Sequence, residues 1–131
     1  MTADRASDLK HDYLKALKRL REAVEEDLSK GSIVIDGTIQ RFEFVYELGW
    51  KLLKAVLDFQ GVNAPTPRQA IKEAFQAGLI PNGEDWIDML EDRNRTSHIY
   101  DEKSAKKIYQ KIKRVHLKTL EGLPLHLPKN I

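Results

Sequence analysis

The sequence predicts an all-α fold, an antiparallel up-and-down bundle of four to five helices. Apolar residues recur at three- and four-residue spacing over most of the 131-residue chain, which is the period of helices that bury one face. The β-branched run at residues 33–35 is too short to predict a strand. Glycine, proline and N-capping residues separate the periodic segments, and the length suits a single domain.

The first two helices are predicted at residues 3–28 and from Asp36, as N-cap, to just before Gly61. In the first helix one stripe carries the apolar side chains, which are Leu9, Tyr13, Leu17, Leu20 and Val24. The second helix is apolar over most of its girth. Such a helix is buried on more than one side, so we expect it at the centre of the fold and consider it a candidate for an interface.

Two shorter helices follow in the middle of the chain. Thr66 and Pro67 open the third as N-cap and first helical residue, and it ends near Gly78. A turn at residues 81–83 precedes the fourth, which begins at residue 84 or 85 and reaches at least residue 95.

The fifth helix is predicted to begin near residue 101 or 104 and to end near residue 120. Its inward side chains are expected to be Ile108, Ile112 and Val115. Residues 1–121 then form the bundle domain. Residues 122–131 form an irregular tail, because Pro124 and Pro128 interrupt it.

Composition excludes several classes of protein. Cysteine is absent, so neither disulfides nor cysteine-based zinc sites can form. No stretch approaches the roughly 20 apolar residues that span a bilayer, and the charged first ten residues do not resemble a signal peptide. We expect a cytoplasmic protein without a cofactor. We expect that it is not itself a nucleotidyltransferase, since no Gly-Ser followed by paired aspartates, as in such an enzyme, is present.

The net charge is only +2, but charge is distributed in blocks. Residues 84–92 hold five acids and no base, whereas residues 103–118 hold seven bases and no acid. Lys103, Lys107 and Lys111 step by four residues along one face. That face is a candidate track for RNA phosphates. We give more weight to a second interpretation, in which it is simply a solvated surface. In a third, it faces the acidic helix.

The segment from Arg93 to Tyr100 is the most unusual, because a dense polar string directly follows an apolar helical turn. His98 can act as acid or base near neutral pH, and the Arg93 guanidinium suits a phosphate. Five positions separate them, roughly 140° on an ideal helix, so a shared site needs a helix distortion, the reach of arginine or a second subunit. Asn94 shares a face with His98. The alternative is a polar helix end with Glu91 and Arg95 paired.

Other acidic and histidine residues are weaker candidates for metal or acid–base sites. Glu43 and Glu47 lie one helical turn apart and are candidates for a cleft, although structural pairing ranks higher. Most acids at residues 84–92 are explained by the helix dipole. The three histidines outside the motif lack ligand-like partners at useful spacing, and no metal site is predicted; these are His11, His116 and His126.

Arg93-x4-His98-x-Tyr100 resembles the signature of HEPN domains, in the form found in toxin partners of minimal nucleotidyltransferases. The runs at residues 39–44 and 47–51 are similar to the family called nucleotidyltransferase substrate-binding proteins. The similarity extends over residues 13–120, nearly the whole domain. A bare Arg-x4-His occurs by chance, but both motifs in this order in an all-helical chain are specific.

The resemblance implies a dimerising bundle that works beside a separate minimal nucleotidyltransferase in a toxin–antitoxin-like pair. It implies that Arg93 and His98 form a metal-independent ribonuclease cleft across the dimer and that AMP transfer to Tyr100 silences it. A dimer would also supply two histidines, one for each proton transfer. Two other functions stay open, a non-catalytic subunit that binds a nucleotide or substrate and a helical dimer stabilised by the motif.

Overall fold

The computed structural model describes residues 3–131, in which all regular secondary structure is helical. The predicted all-α, antiparallel bundle is confirmed. A five-residue π-helical turn (Ile112–His116) joins the last two helices, and 3-10 turns lie at Leu28–Lys30 and Leu123–His126. The α-helices are α1 (Ala3–Glu25), α2 (Ser32–Phe59), α3 (Pro67–Gln76), α4 (Gly83–Thr96), α5 (Glu102–Lys111) and α6 (Leu117–Gly122).

Helix α2 is the centre of the bundle, as its apolar girth predicted. It contacts each of the other five helices, and residues along its full length are buried, from Val34 to Leu57. The stripe of α1 that the sequence predicted is also buried and packs along α2. Burial of apolar surface is the main favourable contribution to folding, so this one helix organises the core.

Gly49 of α2 is the most closely packed of the glycines. A Cβ atom at this position would lie 3.0 Å from the Trp86 ring of α4 and 3.1 Å from the Tyr13 ring of α1. Both rings are buried. The Tyr13 hydroxyl also donates a hydrogen bond of 2.5 Å to the carbonyl of Leu120 in α6. Three helices therefore meet at the single glycine that lets them approach.

Polar side chains cap the N-termini of the shorter helices, and the cap predicted at Thr66 is present. Thr66 accepts a hydrogen bond from the backbone N–H of Gln69 at the start of α3. Asn82 accepts from two backbone N–H groups at the start of α4. Asp101 accepts from the N–H of Ser104 at the start of α5. Each cap satisfies donors that have no partner within the helix, and each fixes where its helix begins.

Two predicted helix boundaries were wrong. Helix α1 ends at Glu25 rather than residue 28, because Asp27 accepts a hydrogen bond from the N–H of Ser29 and caps a separate 3-10 turn. Helix α2 begins at Ser32 rather than near Asp36. Gly31, with φ of 102°, lets the chain reverse early, since only glycine adopts such an angle readily.

The prediction that Val115 faces inward was also wrong. The π-helical turn adds a residue to the helical repeat, so Val115 is 42% exposed and His116 takes the buried position. Beyond it, the tail is less irregular than predicted. Leu123 is buried in the second 3-10 turn, and the carbonyl of Ile131 accepts a hydrogen bond from Lys10 of α1.

Within residues 3–131, none of the helices is both long and apolar enough to cross a membrane.

Replacing Gly49 by alanine should destabilise the bundle. Overpacking a filled core costs about 1–3 kcal/mol, which exceeds the roughly 0.5–1 kcal/mol that alanine gains over glycine within a helix. Gly37 in the same helix is the matched control, because no atom lies within 4 Å of a Cβ there. Gly37→Ala should therefore stabilise the protein. Urea unfolding of both variants measures the difference, and equal effects would contradict close packing at Gly49.

Candidate active site

The polar motif lies where α4 ends. The helix stops at Thr96, Ser97 is its C-cap, and the N–H of His98 donates to the carbonyl of Arg95 at 2.9 Å in a turn. His98 is therefore outside the helix, and the ideal-helix separation of 140° from Arg93 does not apply. The end of the helix lies between the two residues, so the separation on an ideal helix does not decide whether they share a site. The predicted helix face of Asn94 and His98 likewise presupposes a helix that reaches residue 98, whereas α4 ends at Thr96.

Arg93 points back towards α2, where one carboxylate binds it and a second lies nearby. Its Nη1 lies 3.1 Å from Oε2 of Glu43, and its Nε lies 3.7 Å from Oε1 of Glu47. The Arg93 side chain is 27% exposed. Glu43 and Glu47, which the sequence offered as cleft residues one turn apart, thus meet the motif arginine. Glu43 therefore makes the short contact to the guanidinium, whereas Nε is buried near Glu47 without a hydrogen-bond partner among the described residues. Part of the side chain remains accessible.

The two glutamates are themselves held by neighbours. Oε2 of Glu43 accepts a hydrogen bond of 2.6 Å from the Thr96 hydroxyl. Oε2 of Glu47 accepts one of 3.1 Å from the Trp50 indole. Charge-assisted hydrogen bonds of this kind are stronger than neutral ones. The arginine, two carboxylates, a hydroxyl and an indole therefore form one connected polar surface across α2 and α4.

The remaining motif residues face outward. Asn94, Arg95 and His98 are exposed, and the Tyr100 side chain is 87% exposed in the short connection to α5. Arg95 pairs with Asp92 at 2.6 Å rather than with Glu91, the pairing that the alternative interpretation required. An exposed histidine, arginine and tyrosine at one helix end are accessible to a ligand or a partner.

A groove of about 750 Å³ adjoins the motif. It runs between the first half of α2 and the start of α5, and Thr96 and Tyr100 are among its lining residues. Its charged side chains are mostly acidic and comprise Asp36, Glu43, Asp101, Glu102 and Lys106. An acidic groove repels phosphates, so a phosphodiester that reached Arg93 would approach from outside it.

Beneath the motif is a buried charged network that the sequence did not predict. The Asp92 side chain is 1% exposed, and its Oδ1 binds Arg95. Its Oδ2 lies 2.8 Å from Nζ of Lys111 and 2.7 Å from Nε2 of His116. Lys111 also binds Asp88 at 2.8 Å. The inference that His116 lacks partners was therefore wrong, because the π-helical turn places its ring towards α4.

The protonation states of this network follow from its surroundings. Burial opposes ionisation of Asp92, but hydrogen bonds from Lys111 and His116 outweigh it and hold the pKa of Asp92 below its usual value. Burial lowers the pKa of His116, and Asp92 offsets only part of that effect. At neutral pH the carboxylate is charged and the imidazole neutral. Nε2 must then carry the proton, since a carboxylate only accepts.

Three of these groups also have the spacing of metal ligands. Atoms of Asp88, Asp92 and His116 lie within 4.8 Å of one another. The Lys111 ammonium, 2.8 Å from both carboxylates, already supplies positive charge at that place. Lys111 thus faces the acidic helix, as one interpretation of the basic stripe predicted, whereas Lys103 and Lys107 are exposed.

Stability should fall on acidification partly through His116. Its pKa is lowered in the folded state, so the unfolded chain binds a proton first as pH drops below about 6.5, and this favours unfolding. The contribution of the neutral His116 to the free energy of unfolding is fully present above that pH and decreases below it. His116→Gln should show a smaller loss between pH 7.5 and 5.0 than the unsubstituted protein in urea unfolding. The exposed control His126→Gln should lose as much stability as the unsubstituted protein over the same pH range. If the pH dependence of the unfolding free energy is unchanged in His116→Gln, the assignment is refuted.

Known proteins match the chain over most of its length. The family model described as "nucleotidyltransferase substrate binding protein like" matches residues 8–128. A Haemophilus influenzae protein named "Probable ribonuclease HepT" is 37% identical over 84 residues, which are 60% of this chain and 58% of that protein. A crystal structure of a Thermus thermophilus protein superposes with a TM-score of 0.76 at 29% identity, covering 86% of this chain and 95% of the other. The chain belongs to the HEPN-like family of nucleotidyltransferase substrate-binding proteins.

Proposed function

We propose that this chain is the HEPN-type partner of a separate minimal nucleotidyltransferase and is itself a metal-independent endoribonuclease. In this proposal the enzyme is a homodimer that cleaves RNA with Arg93 and His98 and is silenced when the partner transfers AMP to Tyr100. The observation that carries it is the placement of the motif. Glu43 binds Arg93 and Glu47 lies near it, while the helix ends two residues before His98. A relative that aligns with 60% of the chain is named a probable ribonuclease.

The chemistry uses a base, an acid and a fixed cation. A neutral imidazole accepts the proton of a ribose 2′-hydroxyl, and the oxygen attacks the adjacent phosphorus. The bond from phosphorus to the 5′-oxygen breaks, and an imidazolium protonates that oxygen. The products are a 2′,3′-cyclic phosphate and a 5′-hydroxyl. Arg93 stabilises the charge that develops on the phosphate oxygens, a role to which a preorganised guanidinium is suited.

A dimer provides the second histidine that this scheme needs. Each chain has one histidine in the motif, His98, and one imidazole cannot be base and acid in the same step. Two motifs facing each other would supply both protonation states and two arginines around the phosphate. The exposure of His98 and Arg95 at the end of α4 supports this arrangement. Lys103 and Lys107 are exposed on the adjoining helix and would attract RNA.

AMP transfer to Tyr100 would block such a cleft. The side chain is 87% exposed, so its hydroxyl can reach the active site of another enzyme. The hydroxyl would attack the α-phosphorus of ATP, forming a phosphodiester and releasing pyrophosphate. The new phosphate adds a negative charge beside the motif arginines and occupies the place of the RNA phosphate.

A second function is favoured by the family description. In that case the chain would bind a nucleotide or another substrate for the transferase and would have no activity of its own. The groove of about 750 Å³ beside Tyr100 has the size of a small-molecule site, but its acidic lining favours a substrate without phosphate groups. Binding of the transferase without RNA cleavage would distinguish this function from the first.

His98→Ala should abolish RNA cleavage by the purified protein. Loss of a general acid–base group lowers rates by about 10²–10⁴-fold. The measurement is cleavage of a labelled RNA in the presence of EDTA, with the cyclic phosphate identified in the product. His126→Ala, in the exposed tail, is the matched control and should keep full activity. Equal cleavage by both variants would refute the ribonuclease proposal.

Tyr100→Phe should prevent AMP transfer while leaving RNA cleavage intact. The phenyl ring keeps the shape of the side chain but has no hydroxyl to form the ester. Intact-mass measurement after incubation with the partner transferase and ATP should show one or more added AMP units on the unsubstituted protein. The same mass gain on Tyr100→Phe would show that the modification lies elsewhere.

A further inference from the structure

Helices α2 and α4 contact each other through two layers of paired residues. The outer layer is the ion pair between Glu43 and Arg93. The inner layer is formed by the residues directly before them, Phe42 and Asp92, with His116 between the two. Successive side chains in a helix point about 100° apart. The contacts of Phe42 and Asp92 therefore set the rotation of each helix about its own axis, and this rotation sets where Glu43 and Arg93 point.

The inner layer is buried and has directional contacts. The Phe42 ring stacks on the His116 imidazole, with centroids 5.3 Å apart and planes at 17°. The same imidazole binds Asp92 at 2.7 Å. Phe42 and His116 are fully buried and Asp92 is 1% exposed. Water cannot replace these contacts, so the position of His116 relative to α2 fixes the position of the Asp92 carboxylate.

The second carboxylate oxygen of Asp92 contacts the motif itself. Its Oδ1 accepts a hydrogen bond of 2.6 Å from Arg95, whereas its Oδ2 is taken by Lys111 and His116. One buried carboxylate thus holds Arg95 directly, and it lies next to Arg93 in the same helix.

We propose that Asp92 is a positioning residue of the active site, which sets the Arg93 and Arg95 guanidinium groups through its contacts with His116 and Phe42. The proposal rests on the proposed ribonuclease function for its kinetic consequence, but its structural part stands without it. Asp92 touches no substrate. It acts by keeping Arg93 against Glu43 and Glu47 with a fixed edge towards solvent.

The π-helical turn decides which of two neighbouring side chains faces the core. In a continuous α-helix, Val115 and His116 would both lie on the face of Ile112, three and four residues after it. The turn at Ile112–His116 instead leaves Val115 42% exposed and His116 fully buried. Such turns often mark functional sites, and here the imidazole alone of the two side chains takes the inward position.

A role in stability alone is the competing explanation, and the Arg93 Nε–H signal in nitrogen-15 NMR distinguishes the two. Asp92→Asn, measured where circular dichroism shows a folded protein, should shift or broaden this signal, because the guanidinium is no longer fixed. Asp88→Asn is the matched control. It removes a carboxylate from the same helix that binds Lys111 but neither Arg95 nor His116, and it should leave the signal in place.

Two further variants keep the test decisive if Asp92→Asn does not fold. His116→Leu removes the hydrogen bond to Asp92 and fills the buried space with an apolar side chain. It should alter the Arg93 signal as Asp92→Asn does. His116→Gln retains an N–H donor and should restore the signal towards its original position. An Arg93 signal that is identical in all folded variants overturns the positioning role, whether or not the protein cleaves RNA.

The kinetic arm links the network to catalysis. Asp92→Asn should lower kcat for RNA cleavage at least about tenfold with KM changed less than about threefold, since a misplacement of about 1 Å can cost about 100-fold in rate. Asp88→Asn should stay within about twofold of the unsubstituted protein. An altered Arg93 signal with unchanged kcat would overturn the catalytic consequence. Absence of cleavage in the unsubstituted protein would instead count against the proposed function and leave the NMR result as evidence for positioning.

Discussion

The structure depends on the burial of one long apolar helix, α2. Its side chains are apolar over more than half of its circumference, so it must be covered on several sides at once. The chain meets this requirement by wrapping every other helix against α2. Gly49 allows the closest approach, because the rings of Trp86 and Tyr13 occupy the space that any larger side chain would need. The position of α4, and with it the motif, follows from this packing.

The site then arises from where polar residues interrupt the apolar surface of α2. Glu43 and Glu47 lie beside the line along which α4 crosses, and they meet Arg93 there. Directly beneath, the charged Asp92 is buried with Lys111 and a neutral His116. A buried carboxylate is tolerated only when it is paired and hydrogen-bonded, and Asp92 has three donors. The exposed Arg95 is thus linked directly to a carboxylate in the interior.

Much of this could be predicted from the sequence, and the failures have physical causes. The all-α class, the cap at Thr66 and the burial of α2 follow from local periodicity and side-chain chemistry. The motif is visible from the residue types within one short segment. The network at Asp92 is not, because His116 lies 24 residues away in the chain and no local pattern encodes such a pairing. The start of α2 was misplaced because Gly31 turns the chain without a side-chain cap.

The π-helical turn has a consequence for which changes of chain length the fold can absorb. A surface loop accepts an added or deleted residue at little cost. Deleting one residue between Lys111 and Leu117 would restore a regular α-helix and leave everything after it in nearly its present orientation, because the π-helical turn holds one residue more than an α-helical turn. Leu120 would then keep its carbonyl beside Tyr13, with which it now bonds. A second deletion would rotate the following segment by about 100° and break that contact. This segment can therefore lose one residue, which a regular α-helix in the core cannot.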